Sequence, residues 1–157
     1  MTAVVCVSKD WGIGRDGALL FRISDDLKRF RTLTTGRTVI LGRRTLATFP
    51  GGKPLKNRRN IVLSRTAQSI DGAEIARSID EALALADEDA VIIGGASVYA
   101  ALLDRCDRVY VTKVDADCAA DSFFPDLDAS PDWRVERTGE EQEENGLRFR
   151  YVDYVRR

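Results

Sequence analysis

Short β-forming runs, each closed by a turn and followed by a helix-forming stretch, recur through the first 115 residues. This alternation constrains the chain more than any single motif does. Residues 2–8 (TAVVCVS), 38–41 (TVIL), 60–63 (NIVL), 90–93 (AVII) and 108–114 (RVYVTKV) read as strands. Residues 24–35, 43–47, 78–87 and 96–103 read as helices. Ser24 is the expected N-cap of the first and Gly36 its stop, while Ile79, Leu83 and Leu85 form the inward face of the third. Strands joined through helices pair in parallel with the helices on the sheet faces. The tail differs: residues 133–137 and 147–155 alternate apolar and polar around the acidic turn 140–146, which predicts an antiparallel hairpin on the sheet edge. The expected fold is α/β, a mostly parallel sheet flanked by helices with an antiparallel C-terminal edge hairpin. At 157 residues it should form one domain over residues 1–157.

Composition removes several chemistries. There is no histidine, so Ser-His-Asp triads, Cys-His pairs and His-ligated zinc are excluded. No metal site is expected. Cys6, Cys106 and Cys118 are scattered without CxxC spacing, which fits a reducing cytoplasm. With 44% hydrophobic and 31% charged residues, the chain should not be disordered. Its apolar runs, residues 90–93 among them, are far too short to span a membrane, and the N-terminus does not read as a signal peptide. Charge is unevenly placed. Residues 1–70 carry 14 basic and four acidic residues, and residues 71–157 carry 10 basic and 21 acidic, a balance of +10 against −11. A basic half suits an anionic partner; alternatively, the halves attract each other within one domain.

Ligands of open α/β sheets lie at the carboxyl ends of strands, beside helix starts, so residues following strands are the candidates. Residues 9–23 form a long glycine-bearing loop, a length that is often functional. Asp26 borders the apolar stripe Leu27, Phe30 and Leu33, whereas Asp25 is placed to pair with Lys28 or Arg29. Asp26 could accept two parallel N–H bonds from an amidine-like ligand or simply place negative charge at a helix start. Gly94-Gly95-Ala96 follows a strand and precedes a helix, which suits either close approach of a phosphate or a tight turn. Gly42-Arg43-Arg44-Thr45, with Arg65, could grip a phosphomonoester or form a solvated basic surface. Arg58-Arg59 offers the same choice for a carboxylate. Cys6 reads as an inert, buried small residue, and Trp11, Tyr99, Tyr110 and Trp133 as packing residues.

Taken in order, AVVCVSKDWGIGRDG, DDLKRF, VILGRRT, PLKNRRNIVLS, VIIGGASVY, VYVTKVDA and DSFFP make the chain resemble bacterial dihydrofolate reductase over nearly its whole length. The resemblance implies an eight-stranded, mostly parallel sheet. It also implies hydride transfer from NADPH to C6 of 7,8-dihydrofolate with protonation at N5, in the service of one-carbon and thymidylate metabolism. By resemblance Asp26 is the catalytic acidic residue that holds the pterin 2-amino group and N3, and Thr112 hydrogen-bonds it. Phe30, Phe49, Leu55 and Ile93 form apolar walls, and Arg58 takes the α-carboxylate of the glutamate tail. For the cofactor, Ile13 and Gly14 belong to a mobile loop with Leu19 at its tip, and Tyr99 lies near the nicotinamide. Gly94, Gly95 and Ala96 match the pyrophosphate turn, where the family has a cis Gly-Gly bond. Arg43, Arg44, Thr45, Ser64 and Arg65 surround the pyrophosphate and 2′-phosphate. Cys6, Gly42, Leu63, Ile93, Ser97 and Val98 complete the implied cofactor lining.

A cytoplasmic monomer is expected, binding dihydrofolate and antifolate inhibitors and neither nucleic acid nor membrane. The chain departs from the family at Leu20-Phe21, where Pro-Trp is common, at Ala96 in place of a third glycine, and at Leu46 in place of a frequent Trp. The alternatives are a reductase of another pterin or of a riboflavin precursor, a catalytically dead ligand-binding relative, against which Asp26, Arg58 and Thr112 are all present, and, from the basic half, a nucleic-acid-binding module. The basic residues sit mainly at turns after strands and form no nucleic-acid motif, which disfavours the last.

Overall fold

The computed structural model describes residues 1–157. Its main sheet is built from β1 (Thr2–Val7), β4 (Thr38–Gly42), β5 (Arg59–Leu63), β6 (Ala73–Ala76), β7 (Val91–Gly94), β8 (Arg108–Val114), β10 (Trp133–Thr138) and β12 (Leu147–Arg156). The spatial order is β6-β5-β4-β7-β1-β8-β12-β10. The six strands from β6 to β8 are parallel, whereas β12 runs antiparallel to β8 and β10 antiparallel to β12. A short β11 (Gln142–Glu144) continues the β10 edge along β12, so the sheet is eight strands wide, as expected. Helices α1 (Ser24–Thr34), α2 (Arg43–Ala47), α3 (Ile79–Leu85) and α4 (Ala96–Leu102) connect the parallel strands. None is long and apolar enough to cross a membrane.

Residue alternation places the core on both faces. Ile40, Ile61 and Ile92 join Ala3, Val5, Val7 and the α3 and α4 side chains on one face. Their neighbours Val39, Leu41, Val62, Val91 and Ile93 pack on the other, with Leu46 of α2. Central strands apolar on both faces are what a parallel sheet between helices requires. Each such Val, Leu or Ile contributes roughly 1.5–3 kcal/mol when fully buried.

Residues 9–23 differ from the expected loop. They hold β2 (Gly12–Arg15) and β3 (Ala18–Leu19), which form a small separate sheet with β9 (Ser122–Phe123) in the order β3-β2-β9. Trp11 and Ile13 are buried in the main core and tether this sheet. The turn between β2 and β3, Asp16-Gly17, has positive φ at both residues, as the favoured two-residue hairpin turn demands. Asn145-Gly146 does the same between β11 and β12. A Cβ on Gly12 would lie 2.5 Å from the Ala120 Cβ, so only glycine lets these layers close.

The start of α1 also differs. Ser24 does not cap it. The Ser24 and Asp25 N–H groups instead donate to the Glu144 carboxylate of β11, at 2.7 and 3.3 Å. Gly36, at φ 80°, follows the last turn as expected. Leu27, placed by periodicity on the inward stripe, is exposed, whereas Phe30 packs on the apolar cluster of Val39, Leu41 and Ile93.

Candidate active site

The first turn of α1 lies over the face of β1, β8 and β12 that carries Cys6, Thr112 and Tyr151. The register sets Cys6 beside Thr112 and Thr112 beside Tyr151, so the three side chains form a row across the sheet. Asp26 faces this row. Thr112 Oγ1 donates to Asp26 Oδ1 at 2.5 Å, leaving Oδ2 without an O–H or N–H partner. Burial pushes the Asp26 carboxyl above the usual carboxylate range, against the pull of Thr112, the Arg29 charge and the Cys6 thiol. Burial and the neighbouring Asp26 push the Cys6 thiol far up, so Cys6 stays protonated and is no nucleophile. The expected pairing of Asp25 with Lys28 or Arg29 does not form; Arg29 bonds Asp153 of β12 instead.

Phe30, Phe49, Leu55 and Ile93 come together in one apolar cluster on this face. Leu55 is fixed by reciprocal hydrogen bonds with the Asn60 amide, at 3.0 and 2.9 Å. Arg58 lies at the opposite end of α1 from Asp26. Its guanidinium donates to Thr34 Oγ1 (2.9 Å), Thr35 Oγ1 (3.2 Å) and the Lys56 carbonyl (3.0 Å). Each terminal nitrogen keeps a further N–H for an incoming carboxylate. Asp26 and the Thr34 anchor are separated by about 12 Å along the helix, at ~1.5 Å per residue. An acceptor for paired donors and an anchored cation thus mark two ends of an apolar wall.

The carboxyl ends of β4, β5 and β7 are built differently. The Gly94–Gly95 peptide is cis, and Gly94 has φ 126°, which L residues rarely adopt. Thr45 Oγ1 would lie 3.2 Å from a Cβ on Gly95, and Val98 Cγ2 3.3 Å from one on Gly42. Backbone and small side chains therefore crowd into a cradle that larger residues would fill. Tyr99 is buried next to Gly94, and its hydroxyl donates to the Val4 carbonyl at 2.6 Å. Ala96 and the exposed Ser97 open α4. Arg43 and Arg44 start α2 and are exposed, as is Arg65 beyond β5; none of the three makes an ion pair. Leu63 ends β5, and the hydroxyl of Ser64 accepts from the Ala67 N–H. Ile13 and Gly14 sit in β2, buried, while Leu19 is 68% exposed.

Three residues at this site escaped the sequence reading. Arg77 donates to the Ser64 carbonyl at 3.2 Å, which adds a guanidinium beside Arg65. It follows β6, a strand too short and mixed (AEIA) to stand out. Asp153 and Glu144, the partners of α1, come from the far end of the sequence, where no local spacing signals them.

The chain matches the family model described as dihydrofolate reductase over residues 1–156. It is 44% identical over 117 residues to the type 3 dihydrofolate reductase of Salmonella typhimurium, covering 73% of this chain and 71% of that one. It is 37% identical to the dihydrofolate reductase of Neisseria meningitidis serogroup B, covering 99% and 98%. Among solved structures, the dihydrofolate reductase of Enterococcus faecalis, complexed with NADP(H) and RAB-propyl, superposes with a TM-score of 0.87 at 30% identity. That match covers 99% of this chain and 95% of the other.

Proposed function

The chain belongs to the dihydrofolate reductase family, and on that premise we propose that it reduces 7,8-dihydrofolate to 5,6,7,8-tetrahydrofolate with NADPH. The product would serve one-carbon and thymidylate metabolism. The observation that carries the reading is the pair of anchors along α1: Asp26 held by Thr112, and Arg58 held by Thr34 and Thr35. Dihydrofolate has a donor-rich pterin, an aromatic middle and an anionic tail, which fits acceptor, apolar wall and cation in that order.

In this reading Asp26 accepts the pterin 2-amino and N3 hydrogens, Thr112 fixes the carboxylate, and desolvation strengthens that contact. The charge so placed favours protonation of N5 through water, so Asp26 need not deliver the proton itself. Phe30, Phe49, Leu55 and Ile93 hold the rings and exclude water, and Arg58 takes the α-carboxylate. The residues at the strand ends fit NADPH, because the Gly94-Gly95 cradle admits a pyrophosphate and Arg43, Arg44 and Arg65 are cations without protein partners. Thr45, Ser64, Ala96, Ser97 and Val98 would complete the phosphate contacts. Cys6, Ile13, Gly14, Leu19, Gly42, Leu63, Ile93 and Tyr99 would enclose the remainder. When bound, NADPH supplies the hydride.

The reading includes one domain over residues 1–157, acting as a cytoplasmic monomer with neither nucleic acid nor membrane as partner. Antifolates that present the pterin's paired donors would compete at Asp26. The test is NADPH oxidation by the purified protein, followed by absorbance with and without dihydrofolate. Dihydrofolate-dependent oxidation is expected; folded protein that binds NADPH and leaves dihydrofolate unreduced would overturn the substrate assignment. Equal turnover of a pterin lacking the glutamate would remove the role given to Arg58.

A further inference from the structure

We propose that Arg29, held against β12 by Asp153 and the Tyr151 ring, is a positioning residue that sets the charge of Asp26. The proposal rests on the reading of Asp26 as the carboxylate that holds the substrate.

Arg29 follows Asp26 by three residues on α1, a spacing that places the two side chains as neighbours on one helix surface. Its guanidinium donates to Asp153 Oδ1 at 3.1 Å, with side chains only 22% and 16% exposed. It also lies 4.0 Å from the Tyr151 ring centroid and 5.6 Å from that of Tyr110. The register explains this seat: Tyr110 lies opposite Asp153 and Thr112 opposite Tyr151. The supports of Arg29 therefore stand next to the Thr112 that grips Asp26, on the same two strands. An arginine stacked on a ring and bonded to a half-buried acid has lost the freedom to swing away.

Burial and the Thr112 hydrogen bond act on Asp26 more strongly than Arg29 does, but the groups packed around the carboxylate bring no second positive charge. Cys6 comes from β1, Thr112 from β8, Tyr151 from β12 and Tyr99 from α4; each is a neutral group whose pKa, where shifted, is pushed up. On α1 itself the charged neighbours are Asp25, which is exposed, and Arg29, the one cation of the set, while β11 brings the Glu144 carboxylate onto the Ser24 and Asp25 N–H groups of the same turn. Arg29 favours the ionised carboxylate, and Asp153 offsets part of that pull. A cavity of about 520 Å³ lined by Arg29, Tyr151, Asp153, Arg137, Glu140 and Gln142 admits solvent to the pair.

The experiment is a ¹³C NMR titration of the Asp26 side-chain carboxyl in the full-length protein, alongside the pH profile of dihydrofolate turnover. Arg29→Met removes the cation, and the Asp26 midpoint should rise by roughly half a pH unit or more. Asp153→Asn keeps a hydrogen-bond acceptor but loses the opposing charge, so the midpoint should fall. Arg29→Lys should stay near the wild type. The turnover profile should move in the same directions. Shifts of the same sign in Arg29→Met and Asp153→Asn, or none in folded protein, would overturn the proposal. Should Arg29→Met not fold, Asp153→Asn and Arg29→Lys still decide it. The titration needs no substrate, so a wild type that fails to reduce dihydrofolate would end the functional reading while leaving the Arg29 result to stand on its own.

Discussion

The two halves of the site are prepared in opposite ways. On the α1 face every charged group that matters is already bonded to protein: Asp26 to Thr112, Arg58 to Thr34 and Thr35, Arg29 to Asp153. At the strand ends of β4 and β5, Arg43, Arg44 and Arg65 have no ionic partner. The first region holds its geometry before a ligand arrives; the second holds charge that a ligand completes. Losses on the α1 face should therefore appear in turnover, and losses at the strand ends in cofactor affinity and its dependence on salt.

The sharpest break in this contrast is Asp26→Asn. The amide keeps the shape and can still accept from Thr112, but the charge is gone. Dihydrofolate turnover should fall by orders of magnitude while NADPH affinity barely changes. Equal loss of both would mean that the two regions are not separable. The same variant should gain stability at neutral pH. Burial raises the Asp26 pKa above its ordinary 3.8, so its contribution to folding is fully present below that value and disappears as pH rises through the folded value. Asn never ionises, so its Tm should exceed that of the wild type at pH 7, and the difference should shrink in acid.

Gly94→Ala attacks the other region. With φ at 126° an alanine is strained by about 1–3 kcal/mol whatever the space around it. The expected result is NADPH binding weakened by one to two orders of magnitude, with whatever turnover remains at saturating NADPH less affected. An unchanged NADPH Kd would remove the cradle from the cofactor site. Replacing Arg43 and Arg65 together by Ala should then separate the cofactors. Charge-assisted hydrogen bonds of roughly 1.5–3 kcal/mol each would be lost to the 2′-phosphate of NADPH and not to NADH, which lacks it. Titrations with both cofactors at two salt concentrations check this; an unchanged preference would undo the assignment.

The contrast also explains what was legible in the sequence. The strand-end cluster was readable as a pattern, because Gly42-Arg43-Arg44-Thr45 and Gly94-Gly95-Ala96 are contiguous and sit just after apolar runs. The α1 face was not. Thr112 stands 86 residues from Asp26, and the spacing of Asp26 alone left its role open until the resemblance supplied the partner. Helix periodicity puts Leu27 inward with Phe30, but Leu27 is exposed while its neighbour Asp26 is the residue that meets the sheet. Glycine content made residues 9–23 look like loop, although Asp16-Gly17 is the dipeptide a two-residue hairpin favours. What stayed hidden was long-range: β9 pairing with β2, and Asp153 and Glu144 reaching α1 from the C-terminal hairpin.

Glu144 gives the smallest and most discriminating test. Its carboxylate takes the N–H groups of Ser24 and Asp25, doing from β11 what an N-cap side chain would do locally. Both hydrogen bonds are solvent-exposed, so Glu144→Ala should cost only about 0.5–1 kcal/mol in urea denaturation, the lower part of the range for lost caps. Glu144→Gln, which keeps an acceptor and loses the charge that suits a helix N-terminus, should fall between. Because Asp26 lies in the turn so capped, the alanine variant should raise the KM for dihydrofolate slightly and leave the NADPH Kd alone. A matching rise in both would show that the C-terminal hairpin steadies the whole molecule rather than the α1 face, and the division between the two regions would then be one of charge only.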